Sequence, residues 1–323
     1  MKKIFYTTLI FCVLCLNTVF SQDYAKVDET VKTYPESFPS LQKLADKINK
    51  DFTSDEDKAR AIFTWIALNV SYDLNEAKNL ATKKQVAFSF KTEEEKIQKQ
   101  LQYRQDMAAK TLKSKKGVCQ NYAALYHGLC DLTGLKCLDI TGTSKVHPVH
   151  IGKLPQVSDH MWNAVKIGEN WKLIDVTWGA GSVDGKTGKF VQRFNAGYFL
   201  TDPELFYLNH FPDDTRLLMV QKTAEEWAQL PLYYGEYMRA PYEVISPQSG
   251  IFSNRKGNVI PFKISDLPET DKVSYGFSSD GKYNDVQVKR NGNIAEFEIP
   301  VNERMRGFLT VFVNNKSVVS YKL

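Results

Sequence analysis

Cysteine, histidine and long apolar runs are all scarce in this chain. Five cysteines and five histidines in 323 residues are too few for a disulfide-built scaffold. After residue 21 no apolar run reaches the length of a membrane span. Charge of one sign is lacking as well: 42 Lys and Arg stand against 37 Asp and Glu, with no basic cluster of the kind that binds nucleic acid. Internal repeats are absent. Apolar and aromatic residues are plentiful, at 43% and 12%, enough for a sizeable core and, at this length, for two domains.

The opening MKKIFYTTLIFCVLCLNTVFSQ carries two lysines, an apolar run and the small Ser21, and reads as a secretory signal cut after Ser21. A secreted or periplasmic protein is expected. Removing residues 1–21 takes away Lys2 and Lys3 and no acid, lowering the formal charge from +5 to +3. It also leaves only Cys119, Cys130 and Cys137. An odd number cannot all pair. Cys130 and Cys137 stand in apolar contexts and read as buried thiols, with a bond between them as the lesser alternative. Cys119 is the thiol left to explain.

The pattern predicts a helix over 35–51 and a second from Ser54, where Asp57 three places on resembles a capping box and Ala59, Ile62, Phe63, Ile66 and Val70 form one stripe. Residues 73–116 are polar and lysine-rich, and pairs such as Glu95 with Lys99 suggest a solvated helical insert. From Cys119 the residues Tyr122, Leu125, Tyr126, Leu129 and Leu132 recur at helical spacing up to Gly134. Strand-like runs follow in LKCLDITGT, HMWNAVKI and WKLIDVTW. Helix followed by antiparallel strands points to an α+β core over 22–240. Beyond Pro241, six short strand-type runs separated by Gly, Asp and Asn turns predict a small Ig-like β-sandwich over 241–323.

A cysteine is nucleophilic as the thiolate, which the positive end of a helix and a neighbouring imidazolium both favour. The helical periodicity puts Cys119 at such an end. Gly117 suits a tight entry and leaves room for a substrate backbone, and an amide N–H of the same turn can stabilise an oxyanion. Among the histidines, His127 lies two turns into the helix, His147 and His150 in a loop, and His210 in a later aromatic loop. His160 opens a strand that can aim it. If a two-residue turn at Gly168 and Glu169 pairs Ile167 with Asn170, His160 falls opposite Thr177 and Asp175 becomes its diagonal neighbour on the same face. Zinc held by His147, His150 and Asp159 or His160 is a weaker alternative, because the helical His-x-x-x-His frame is missing and Pro148 and Pro155 mark a loop. No metal or cofactor is called for.

The three segments KGVCQNYA, DHMWNAV and WKLIDVTWG, in this order and spacing, resemble the transglutaminase-like superfamily, a relative of the papain-type fold. FLTDPELFYLNHFPDD resembles the branch that includes the kyphoscoliosis peptidase. The resemblance implies Cys119 as nucleophile, His160 as general base and acid, and Asp175 as the residue that orients His160. It also puts Trp65 on the helix before the insert, where it borders the site unless it is a core residue. Gln120 and Trp162 are the further candidates for substrate or oxyanion contact. Many relatives have glycine where this chain has Asn121, which narrows the space beside the thiol.

The expected function is acyl transfer on amide bonds of protein or peptide substrates through a thioester, with hydrolysis ahead of transglutaminase cross-linking. A non-catalytic interaction module on the same fold is the alternative of another class. Nothing in the sequence speaks to oligomeric state.

Overall fold

The computed structural model describes residues 24–80, 89–185, 187–252, 257–302 and 305–323. The expected secretory signal therefore lies outside the described residues. Among those described, no helix is long and apolar enough to cross a membrane.

The first half is a helical layer on a small sheet. Helices α1 (Ala25–Lys32), α2 (Leu41–Asp51) and α3 (Asp55–Asn69) come first. The helix expected over 35–51 starts only at Leu41, because Pro35 and Pro39 precede it and the Ser40 side chain caps it by accepting the Lys43 N–H. Ser54 caps α3 in the same way through the Asp57 N–H at 3.1 Å, and its whole predicted stripe is buried. Strand β1 (Ser71–Tyr72), α4 (Leu74–Leu80), α5 (Glu93–Ser114) and β2 (Lys116–Gly117) lead into α6 (Cys119–Thr133). Helix α5 is solvated along most of its length, with Lys99 and Glu95 paired at 2.8 Å, but it buries Ala108, Thr111 and Leu112. Gly134 ends α6 at φ 85°, a left-handed conformation that glycine adopts at little cost.

The central sheet contains β3 (Cys137–Ser144), β4 (His160–Ile167), β5 (Asn170–Ile174) and β8 (His210–Pro212) in the order β5-β4-β3-β8, all antiparallel. Between β5 and β8 come α7 (Val176–Ala180), the hairpin β6 (Gly181–Val183) and β7 (Phe190–Gln192), and α8 (Pro203–Tyr207). Helix α6 is tied to α3 by Tyr122 Oη, which donates to the Val70 carbonyl at 2.7 Å. It is tied to β4 by Asn163 Nδ2, which donates to the Ala123 carbonyl at 3.3 Å.

The expected turn is present, with Ile167 paired to Asn170. The strand expected over 171–178 is not, since pairing stops at Asn163 with Ile174. Asp175 leaves the ladder because its carboxylate caps α7, accepting the Trp178 N–H at 3.0 Å. A local side-chain hydrogen bond here wins over the strand preference of Val176 and Thr177.

The C-terminal region encloses a second apolar cluster between two sheets. After α9 (Ala224–Gln229) and β9 (Leu232–Tyr233) come β10 (Glu243–Ser246), β11 (Val259–Ser265), β12 (Val273–Phe277), β13 (Tyr283–Asp285), β14 (Lys289–Asn291), β15 (Ile294–Pro300), β16 (Phe308–Val313) and β17 (Lys316–Lys322). They form the sheets β10-β11-β15-β14 and β13-β12-β16-β17-β9. NDVQVKR, one of the six strand-type runs expected beyond Pro241, is split: β13 joins β12 in one sheet and β14 joins β15 in the other. The second sheet reaches back past Pro241, because β9 pairs with β17. Lys145, fully buried at the end of β3, ties this region to the core by donating to the Trp227 and Leu230 carbonyls at 2.6 and 3.0 Å.

Candidate active site

Cys119 is the first residue of α6 and is partly exposed. The preceding Val118 offers no side chain to cap the helix. Instead Asn121 reaches back: its Oδ1 accepts the Val118 N–H at 3.0 Å and its Nδ2 donates to Thr111 Oγ1 at 3.2 Å. The first-turn amides of Cys119 and Gln120 have no acceptor within the helix, so this end keeps its affinity for negative charge. Gly117 serves a different purpose from the one expected. A Cβ there would lie 2.3 Å from Asn121 Cβ, so its bareness accommodates Asn121 and not a substrate backbone.

His160 opens β4 opposite Gly142, and the alternation of the strand puts it on the same face as Trp162. Its Nε2 lies 2.7 Å from Asp175 Oδ2. The Cys119 side chain is near enough to act on the charge of the ring. With Nε2 committed to the carboxylate, Nδ1 is the ring nitrogen left for the sulfur. Both ring and carboxyl are buried, His160 at 7% and Asp175 at 0% exposure. Burial alone opposes the imidazolium, but the charge of Asp175, its hydrogen bond and the Cys119 side chain outweigh it, and the His160 pKa is raised to about 10. Burial likewise opposes the Asp175 carboxylate, yet the His160 charge and the hydrogen bonds from His160 and His210 hold it below the usual carboxylate range. The Trp178 ring stacks on His160 with centroids 5.2 Å apart.

The structure thus brings Cys119, His160 and Asp175 together, although not through the strand ladder expected for Asp175. Trp65 does not join them. It is fully buried in the helical core and its indole N–H donates to the Pro35 carbonyl at 3.0 Å, so it has no surface for a substrate. Trp162 is 2% exposed and serves as a wall: its ring lies 6.0 Å from that of His160 and 5.0 Å from that of His210. Gln120 is exposed and lines a cavity of about 210 Å³ with Glu76, Tyr103, Asp106 and Lys110.

Two neighbours were not selected by sequence reasoning. Tyr72 pairs with Gly117 through β1 and β2, and burial, followed by the nearby Cys119 and Asp175, pushes its phenol up to about 12. His210 reaches Asp175 Oδ2 with its own Nε2 at 3.1 Å. For His210 the signal was a histidine within the aromatic run FYLNHFP; for Tyr72 the sequence carried none beyond a strand-like pair.

His160, Asp175 and His210 offer three possible ligand atoms within 4.8 Å of one another, the one such cluster among the described residues. His147 and His150 are not part of it. The separations of 2.7 and 3.1 Å, both to the same carboxylate oxygen, are those of hydrogen bonds. Ligands on tetrahedral zinc stand farther apart, about 3.3 Å for the usual bond lengths. The donor set therefore fits a shared proton network better than a bound ion.

A helix start carrying a thiol, a strand carrying an imidazole and a carboxylate behind the ring make up the site. Residues 42–176 match the family model described as the transglutaminase-like superfamily. The chain is similar to the kyphoscoliosis peptidases of Mus musculus and Homo sapiens, each 33% identical over 175 residues, 54% of this chain and 23% of theirs. Hillarin of Drosophila melanogaster is 28% identical over 201 residues, 58% of this chain and 22% of its own. The chain thus spans less than a quarter of these relatives. A solved TGase aligns at a TM-score of 0.28 with 16% identity over 55% of this chain and 37% of that one, a likeness too slight to carry an argument.

Proposed function

We propose that the protein is a cysteine-dependent acyl-transfer enzyme acting on amide bonds of proteins or peptides. The observation that carries this reading is the His160 ring, joined to Asp175 at 2.7 Å and neighboured by the Cys119 thiol at the open end of α6. The Cys119 thiolate attacks the amide carbonyl, and first-turn amides of α6 stabilise the oxyanion that forms. His160 gives its proton to the departing amine, leaving an acyl group on sulfur as a thioester. His160 then takes a proton from the acceptor as that acceptor attacks, and the thiolate is released. Asp175 holds the ring orientation and stabilises the imidazolium.

Water is the acceptor favoured here. Cys119 is partly exposed, and the cavity beside Gln120 is lined by charged Glu76, Asp106 and Lys110, surroundings that admit water to a thioester. Export through the segment 1–21 is part of the same proposal.

Incubating the pure protein with a peptide library and a labelled amine, read by mass spectrometry, tests the reading. Cleaved peptides without amine incorporation are expected. Incorporation would make the protein a transglutaminase, and neither product would favour the non-catalytic module.

A further inference from the structure

We infer that His210 is a positioning residue: its Nε2–H, sharing Asp175 Oδ2 with His160, fixes the carboxylate that aims the His160 ring. The inference rests on the acyl-transfer reading above and adds to it a member that the three-residue constellation does not contain.

The argument begins with Asp175, which is fully buried. A buried carboxylate is tolerated only when donors satisfy it. Three do: the Trp178 N–H at 3.0 Å on Oδ1, His160 Nε2 at 2.7 Å and His210 Nε2 at 3.1 Å on Oδ2. Without His210 the carboxylate keeps one donor on each oxygen, and Oδ2 is held only by the ring it is supposed to orient. His210 supplies an independent anchor for that oxygen.

The ring of His210 is itself immobilised. It is 1% exposed, stacks on Phe206 with centroids 3.9 Å apart at 20°, and lies 4.4 Å from the Trp178 ring. Its strand β8 pairs with β3 so that His210 stands opposite Ser144, while His160 stands opposite Gly142 on the other side of β3. Residues two apart on β3 share a face, so the register points both histidines to the same side of the sheet. Burial disfavours the charged form of His210 and lowers its pKa, and the nearby His160 charge acts in the same sense. A neutral ring donates from one nitrogen only. Both ring nitrogens face acceptors, Nε2 the Asp175 carboxylate at 3.1 Å and Nδ1 the Phe206 carbonyl at 3.3 Å; the shorter contact, to the charged acceptor, takes the Nε2 proton. His210 thus adds to the carboxylate a hydrogen bond that does not depend on His160.

The test compares His210→Phe, which keeps the stacked ring and removes the donor, with His210→Gln, whose side-chain amide can place a donor where Nε2 was. In the whole protein the downfield NMR signal of the His160 Nε2–H reports its bond to Asp175 whether or not the protein turns over. In His210→Phe this signal is expected to move, kcat to fall about tenfold or more, as for a small misplacement of a reacting group, and KM to stay constant; His210→Gln restores both signal and kcat. An unchanged His160 signal in a folded His210→Phe protein would overturn the inference. So would a His210→Gln variant that melts like the wild type and yet shows a displaced signal, a result that decides the matter even if His210→Phe does not fold. If the signals behave as expected while the wild type neither cleaves nor transfers, the positioning role stands and the acyl-transfer reading falls.

Discussion

Two of the histidine–aspartate pairs among the described residues have nearly the same separation. His127 Nδ1 lies 2.8 Å from Asp139 Oδ1, and His160 Nε2 lies 2.7 Å from Asp175 Oδ2. Distance does not distinguish them; surroundings do. The Asp139 side chain is 26% exposed and shared with Arg104 and Asn163, so water and a guanidinium already answer its charge. Asp175 is fully buried, is answered mainly by His160, and stands on the side of the ring opposite a thiol at a helix end. The first pair joins α6 to β3 as an ordinary structural contact. The second stores electrostatic energy in a place where a proton can be moved. A short carboxylate–imidazole contact is therefore weak evidence for chemistry until burial and a third reacting group are added.

The comparison can be broken by mutation. Cys119→Ala is expected to abolish turnover, by about ten-thousandfold or more, while leaving the melting temperature near that of the wild type; full activity in that variant would end the proposal. Next in size, Asp175→Asn should lower kcat on the order of a thousandfold, because the carboxylate that orients and charges the ring is gone. Asp139→Asn, at the look-alike pair, should change kcat by no more than about threefold. Equal losses in the two variants, measured under the same conditions, would show that the pairs are not different in kind.

A smaller effect appears in stability against pH. The His160 pKa is raised above the ordinary imidazole value, so its contribution to stability is complete below about pH 6.5 and is lost as pH climbs through about 10. The Asp175 pKa is lowered, so its contribution holds above about pH 4 and is lost only as pH falls well below that. Between neutral and alkaline pH the wild type should therefore lose melting temperature faster than His160→Gln. Parallel curves would mean that the buried ion pair does not form.

Much of this was legible in the sequence. The amphipathic repeat from Tyr122 to Leu132 fixed α6 and with it the place of Cys119, because helical periodicity is recorded locally. Alternation gave β4 and the turn at Gly168 and Glu169. Asp175 was correctly brought to His160 by an incorrect route: Val176 and Thr177 favour a strand, and only the side-chain cap at Trp178 shows why the chain turns into α7 instead. The split of NDVQVKR between two sheets was hidden for a similar reason, since a run of strand-forming residues does not reveal a change of partner. His210 was beyond reach. It lies 35 residues from Asp175 on a three-residue strand, and its contact arises from the order β5-β4-β3-β8, a tertiary fact whose one local trace is a histidine within an aromatic run.

The central claim is that the sulfur of Cys119 is activated by His160, and labelling of the native protein with iodoacetamide at mildly acid pH tests it most directly. Cys119 is expected to react at least about tenfold faster than free cysteine, because the neighbouring ring of His160 supports the reacting sulfur, and to lose that advantage in His160→Ala. A wild-type rate no faster than that of free cysteine, or an undiminished rate in His160→Ala, would contradict the account.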